Sequence, residues 1–404
     1  MFLVFKGPIF SPDSYSYLNT EISRFPGYVI CVRVFKYILG PDFGHLLVAF
    51  HMLFGFSTIH FTLKGFQNLL KLNFWSVLFI FGVLISPYFQ SIYVANNITS
   101  EGLSYPFYLV FITASALLIF NNNKKMLLWS SFAFILLTLT RGQFIICSVI
   151  VAFIYGIKHY VGKTLKPNFI VIIVLVCLPF LSKTLDSLYR KILFDHYVST
   201  PYSYVNAVAL PLFISHEDNI NLIESQESKD IFEFSYKRID SLDLLSSKDK
   251  GDHYYRYKRF HNNFPPICNQ NIHSGGIKYF YNKGFSAYES YIKTEQVCKS
   301  LMLPLIKANF KEYLTLYFTS IMYGFKSIPL AIAILALAFW SFIKCLKKFN
   351  LLYGIILLTT LLALSNAMIV AVACHSIDRY LFYNNFLIAI TALLLLNKII
   401  KPTK

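Results

Sequence analysis

Acidic residues are almost missing from the first half of this 404-residue chain. Between residues 43 and 185 there is one, Glu101. Charged residues of both signs make up only 14% of the sequence, where a soluble domain carries about 25%. Ionised side chains are costly in hydrocarbon, so a stretch this long and this poor in acid belongs in a bilayer rather than on a solvated surface. The CxxC pairs and His–Cys spacings of metal and redox motifs are also missing, which excludes a cysteine-built metal site. There is no internal repeat and no low-complexity tract.

Apolar residues fill the space: 56% of the chain is hydrophobic and 18% aromatic. Runs approaching the roughly 20 residues of a spanning helix lie near 44–63, 74–93, 103–120, 126–140, 143–157, 167–184, 327–343, 350–373 and 380–397. The expected fold class is an all-α polytopic membrane protein of about nine transmembrane helices, with one mixed extracytoplasmic domain. Residues 1–185 form an N-terminal membrane module, 186–326 the extracytoplasmic domain and 327–404 the C-terminal membrane helices. The middle segment is polar and Tyr-rich, interrupted at Pro265-Pro266 and Gly275-Gly276. It is too long for a plain loop.

The formal net charge of +17 would suit a nucleic-acid partner if it lay on one polar face. It does not. Residues 186–326 hold 17 basic and 15 acidic residues, while the other 20 Lys and Arg face only Asp13, Glu21, Asp42, Glu101 and Asp378. Thirteen lysines sit in alternate connections without any acid: Lys64 and Lys71; Lys124 and Lys125; Lys158, Lys163 and Lys166; Lys344, Lys347 and Lys348; Lys398, Lys401 and Lys404. This is the positive-inside pattern, and no nucleic acid is expected to bind. The sign rule applied at each connection gives one alternation, with the N-terminus outside and the C-terminus inside. Met1–Phe5 is too short for a signal peptide or a span, so a first helix is expected to precede the chain, or the short segment crosses unaided.

Of the seven cysteines, Cys268 and Cys298 alone lie in the large polar segment, where they either form a disulfide or stay free. His45, His51 and His60 read as packing or interfacial groups rather than a proton relay.

Five residues could carry chemistry at the outer face. Asp13, in Ser11-Pro12-Asp13-Ser14-Tyr15, is either a turn-ordering acid or a general base. Glu101 opens a helix after Ser100, where it either complements the helix dipole or acts as an intramembrane functional acid. Asn97-Ile98-Thr99 matches a glycosylation sequon. Arg141 either snorkels to the interface or clamps a phosphate through its planar fork. His375 and Arg379, in Cys374-His375-Ser376-Ile377-Asp378-Arg379-Tyr380, could hold an anionic headgroup, or Asp378 and Arg379 could pair with neighbouring groups. Together, two carboxylates and several cations at one face suit base catalysis on an acceptor hydroxyl and stabilisation of a phosphate leaving group.

These segments resemble the GT-C fold membrane glycosyltransferases that use polyprenyl-phosphate sugars. The resemblance rests on Pro12-Asp13-Ser14-Tyr15-Ser16-Tyr17 in a first outer loop, Arg24-Phe25-Pro26-Gly27-Tyr28 opening an amphipathic stretch, Ser100-Glu101 with Pro106 downstream, Thr140-Arg141, and Asp378-Arg379-Tyr380. It covers roughly 1–185 and 327–400. It implies Asp13 as catalytic base with Glu101 beside it, and Arg141, His375 and Arg379 as contacts to the donor phosphate. Some members of that family use a divalent metal at the acidic pair; this chain has few clustered carboxylates to hold one. The large segment at 185–326 has no matching signature.

The function implied is transfer of a sugar from a polyprenyl-phosphate donor to a cell-surface glycan such as O-antigen, on the periplasmic face of the inner membrane. An O-antigen polymerase or ligase is the alternative, with the arginines essential and the acids dispensable. A lipid-linked sugar flippase or transporter is the third reading; it would favour ionisable groups lining a path through the spans, and these spans have few.

Overall fold

The structure, a computed structural model, describes residues 2–400, with side chains up to Leu396; Lys398, Lys401 and Lys404 lie outside those described side chains. The chain is all-α. Among the described residues there is no strand, only an isolated parallel bridge between Ile9 and Asn97. The helices used below are α1 Pro12–Leu18, α2 Pro26–Leu39, α3 Phe43–Leu70, α4 Phe74–Phe89, α5 Glu101–Phe120, α6 Lys125–Thr140, α7 Cys147–Val161, α8 Leu165–Phe194, α9 Ile328–Lys347, α10 Leu351–Ala373 and α11 Asn384–Ile400.

Each of the nine expected apolar runs contains a helix, but the helices differ from the runs in length. Among the described residues, six segments are long and apolar enough to cross a membrane: Pro26–Leu70, Glu101–Phe120, Gly142–Val161, Leu165–Phe194, Ile328–Lys347 and Leu351–Ala373. The apolar helices Phe74–Phe89, Lys125–Thr140 and Asn384–Leu396 fall short of 18 residues. Large side chains on several of these helices face outward, among them Trp75, Trp129, Ile170 and Phe180. A multi-pass protein bathed in lipid exposes such residues, whereas a soluble one buries them.

Two compact units divide the chain. One comprises Met1–Asp186, Ile332–Asn366 and Asp378–Lys404; the other comprises Ser187–Ala331 and Ala367–Ile377. The regular structure of the central unit is helical, with no strand among its described residues. Pro265 and Pro266 stand in the first turn of the short helix Phe264–Ile267, where a missing N–H costs nothing. Gly275 and Gly276 do not break the chain either: they open the helix Ser274–Asn282. A Cβ on Gly276 would stand 2.6 Å from Thr294 Cγ2, so the glycine serves close packing. Cys268 and Cys298 are buried and no disulfide joins them.

In the first unit α5 is the central helix, packed on α3 and α6. Small polar residues mediate the approach: Thr113 donates to Thr62 at 3.0 Å, and the Ser115 and Ser130 hydroxyls meet at 2.8 Å. Such contacts drive helix association where the surrounding lipid is as apolar as leucine. Lysine-bearing connections gather at the C-terminal end of α5. Lys158 Nζ donates to the Ile119 carbonyl, and to Asn122 Oδ1 at 2.6 Å. Phe120 meets Phe349, just beyond Lys348, with ring centroids 6.0 Å apart. Glu101 stands at the opposite end of α5, about 30 Å away at 1.5 Å of rise per residue.

The N-terminal segment is stitched to the start of α5. Ile9 N–H donates to the Asn96 carbonyl at 2.8 Å, and Ile98 N–H returns to the Ile9 carbonyl at 3.0 Å. Buried Asn96 donates from Nδ2 to the Leu3 and Gly7 carbonyls at 2.6 and 2.8 Å. Register then places Asp13 and Glu101 each four residues past their own side of the bridge. Asn96→Ala removes the donor from two carbonyls and should destabilise the protein by about 1–3 kcal/mol. Faster proteolysis of residues 1–20 would report the released segment, and parent-like protection would refute the tether.

Candidate functional site

Asp13 lies in the first turn of α1, whose start is set by Pro12 and by Ser11 N–H donating to Ser14 Oγ at 2.9 Å. Twelve residues on, the Phe25–Gly27 stretch packs against the break between α6 and α7. A Cβ on Gly27 would lie 2.6 Å from Thr140 Oγ1, and one on Gly142 2.6 Å from the Phe25 ring. Only glycine allows this crossing, which sets Arg24 and Arg141 on adjoining segments. Arg379 comes from the short helix Asp378–Leu381. That helix is anchored where Gln143 Nε2 donates to Asn366 Oδ1 and to the Tyr380 carbonyl, each at 2.9 Å, while Asn366 Nδ2 reaches the same carbonyl at 3.1 Å.

The result is one continuous ion network within the first unit. Arg379 donates from Nη1 to Asp13 Oδ2 and from Nε to Glu101 Oε1, and from Nη2 to Glu101 Oε2 at 3.1 Å. Arg24 Nη2 donates to Asp13 Oδ1 at 2.7 Å. Arg141 Nη1 donates to Glu101 Oε1. Two arginines also cover rings: Arg24 lies 4.9 Å from the Tyr17 centroid and Arg141 4.7 Å from that of Tyr380, a favourable placement for a partly desolvated cation.

Exposure divides the network into two levels. The Glu101 side chain is 1% exposed and that of Arg141 is 9% exposed, whereas Asp13 is 32% and Arg379 30% exposed. Only the upper level of Asp13, Arg24 and Arg379 meets solvent. Glu101 and Arg141 form its buried base. Ser100 makes no side-chain cap bond to α5; Glu101 is held by the guanidinium groups of Arg141 and Arg379 and by the Thr99 hydroxyl.

Burial alone would raise the Asp13 carboxyl, but Arg24 and Arg379 outweigh it and hold the group below its ordinary value. The sign follows: a depressed carboxyl keeps its base form at neutral pH and loses it only as pH falls through the lowered value. Arg24→Gln removes one of the two stabilising cations. It should move the acid limb of a pH–activity profile to higher pH, and a limb in the parent's position would show that Arg24 does not tune Asp13.

His375 is not brought into this network. It belongs to the other unit, stacked on Phe264 at 4.4 Å between centroids and 4.7 Å from the His261 ring. Burial, reinforced by His261, lowers it to about 4. It is therefore neutral near pH 7 and unsuited to holding an anion by charge. Arg24, outside the sequence-derived set, takes its place as the third cation. His51 is fully buried, with Nδ1 3.0 Å from the Ala95 carbonyl.

A divalent metal does not fit the acidic pair. All four carboxylate oxygens of Asp13 and Glu101 accept from guanidinium groups. No cluster of three His, Cys, Asp or Glu suited to a metal occurs among the described residues.

Fold and site together define the class: an all-α multi-pass membrane protein with a buried-to-exposed acid–arginine network at one end of its helices. Comparison with known proteins goes no further, because no family model, curated protein or solved structure matches the chain.

Proposed function

We propose that the chain is a membrane glycosyltransferase that moves a sugar from a polyprenyl-phosphate donor to a cell-surface glycan such as O-antigen. The observation that carries this reading is Arg379 joining a solvent-reached carboxylate, Asp13, to a buried one, Glu101. Three guanidinium groups face two carboxylates, which leaves net positive charge where a phosphate would lie. The resemblance of the Asp13, Glu101, Arg141 and Arg379 segments to GT-C enzymes supports the same reading. About nine helices entering the bilayer, an extracytoplasmic central segment and a periplasmic active site at the inner membrane are part of it.

In this mechanism Asp13 takes the proton of an acceptor hydroxyl as that oxygen bonds to the anomeric carbon. The carbon–oxygen bond to the lipid phosphate breaks, and the phosphate leaves as an anion beside Arg379 and Arg24. A base with a depressed pKa is a weak one. It suits a transition state dominated by leaving-group departure, with positive charge developing on the sugar, as in glycoside chemistry. Glu101 and Arg141 are too buried to touch substrate and act by positioning Arg379.

The test is comparison of surface glycans from a strain lacking the gene and the same strain complemented. Loss of one sugar at a fixed position supports transfer. Unit-length glycan without chains would favour the polymerase or ligase reading, and unchanged glycans would overturn both.

A further inference from the structure

The first unit carries a groove that the proposed reaction leaves unused. It runs between α7 and α8 with a volume of about 410 Å³, and Val149, Phe153, Gly156, Tyr160, Ile172 and Val176 line it. Gly156 makes the channel: a Cβ there would lie in ordinary contact with Ile172 Cδ1 at 3.6 Å, so any longer side chain would fill the space. Both walls belong to segments long and apolar enough to cross a membrane, so lipid chains bathe the groove.

Tyr160 and Leu165 mark its lysine-rich end. The turn between them is fixed by Gly162 N–H to the Lys158 carbonyl at 3.0 Å, Lys163 N–H to the Tyr160 carbonyl at 3.1 Å, and Thr164 N–H to the His159 carbonyl at 2.8 Å. Lys163 adopts φ +55°. After a helix C-terminus this left-handed position usually falls to glycine, because a side chain is strained there. Here a lysine occupies it, exposed, as Lys71 and Lys326 occupy positive-φ positions elsewhere, and exposed Lys166 lies three residues on.

An apolar chain gains little by leaving bulk lipid for a groove equally apolar. Selectivity must come from the headgroup, and basic pockets between transmembrane helices bind anionic ones. We propose that the α7–α8 groove seats one acyl chain of an anionic glycerophospholipid, with its phosphate headgroup on Lys163 and Lys166. This site is independent of the transferase reading.

The test uses the full chain, purified and delipidated in detergent, then exposed to phosphatidylglycerol or phosphatidylcholine with identical acyl chains. Native mass spectrometry reads the bound lipid. The parent should retain phosphatidylglycerol roughly thirtyfold over phosphatidylcholine, and each lysine removed should lower that preference roughly fivefold, at about 1 kcal/mol per lysine. Lys163→Gly separates binding from folding, since glycine takes φ +55° without strain. It should lose preference while its thermal melting stays level or rises. Gly156→Leu should reduce retention of both lipids. Equal retention of the two lipids by the parent would overturn the headgroup assignment, as would an unchanged preference in Lys163→Gly/Lys166→Gln. Undiminished binding by a folded Gly156→Leu would overturn the acyl seat.

Discussion

Asp13→Asn is expected to lower sugar transfer by roughly 10²–10⁴-fold, the usual contribution of a positioned general base, while the protein still inserts and folds. Asn preserves the shape of the side chain and still offers one oxygen to a guanidinium. The lost charge sits where water reaches: Asp13 is 32% and Arg24 22% exposed, so Arg24 can rehydrate without leaving a buried orphan. Fold and function are therefore separable at this position. Initial rates in proteoliposomes, set beside the melting curve of the same preparation, make the measurement. A parent-like rate would remove Asp13 from the mechanism. If Arg379→Gln then lost activity where Asp13→Asn did not, the polymerase or ligase reading would be the one to keep.

Much of this site is legible in the sequence because bilayers make charge expensive. A lone acid over some 140 residues, and an arginine between two apolar runs, have few bland explanations. The lysine-bearing connections carry the same signal, and Lys158 meeting Ile119 and Asn122 brings two of them physically together. Arg24 was hidden for a different reason. A cation at the start of an amphipathic helix reads as an interfacial anchor, and its partner Asp13 lies across an irregular segment with no period to follow. His375 was misplaced because four residues separate it from Arg379 in sequence while the boundary between two units falls between them. Adjacency along a loop says little about which core a ring joins. The sequence pattern at Asn97 likewise gives no hint of its local contacts: Asn97 pairs with Ile9 and donates from Nδ2 to the Ile92 carbonyl, and Thr99 is buried. Backbone bridging of this kind leaves no trace in composition. Helix existence was readable from apolar runs, whereas helix length was not. α6 stops at Arg141, where the extended backbone at φ −148°, ψ 111° ends the helix before Gly142.

Glu101→Gln is expected to destabilise the protein by about 3–5 kcal/mol, since it strips the anion from a buried pair and leaves Arg141 uncompensated. The loss should appear in thermal or denaturant unfolding of the purified protein. A change within about 0.5 kcal/mol, typical of a surface site, would refute the buried network. The same reasoning predicts recovery when the stranded charge is also removed. Glu101→Leu/Arg141→Met deletes both members of the buried pair, and buried pairs replaced by apolar groups of similar size are often neutral or stabilising; Arg379, 30% exposed, can turn to water. The two sites touch, so their effects should be far from additive. Function should behave differently. Arg379 spends two of its donors on Glu101 and one on Asp13, so without the Glu101 carboxylate it is no longer fixed against the base, and transfer should stay low in the double variant even with stability restored. A double variant that regains both would show that Glu101 and Arg141 serve the fold alone, leaving Asp13, Arg24 and Arg379 as the whole of the working site.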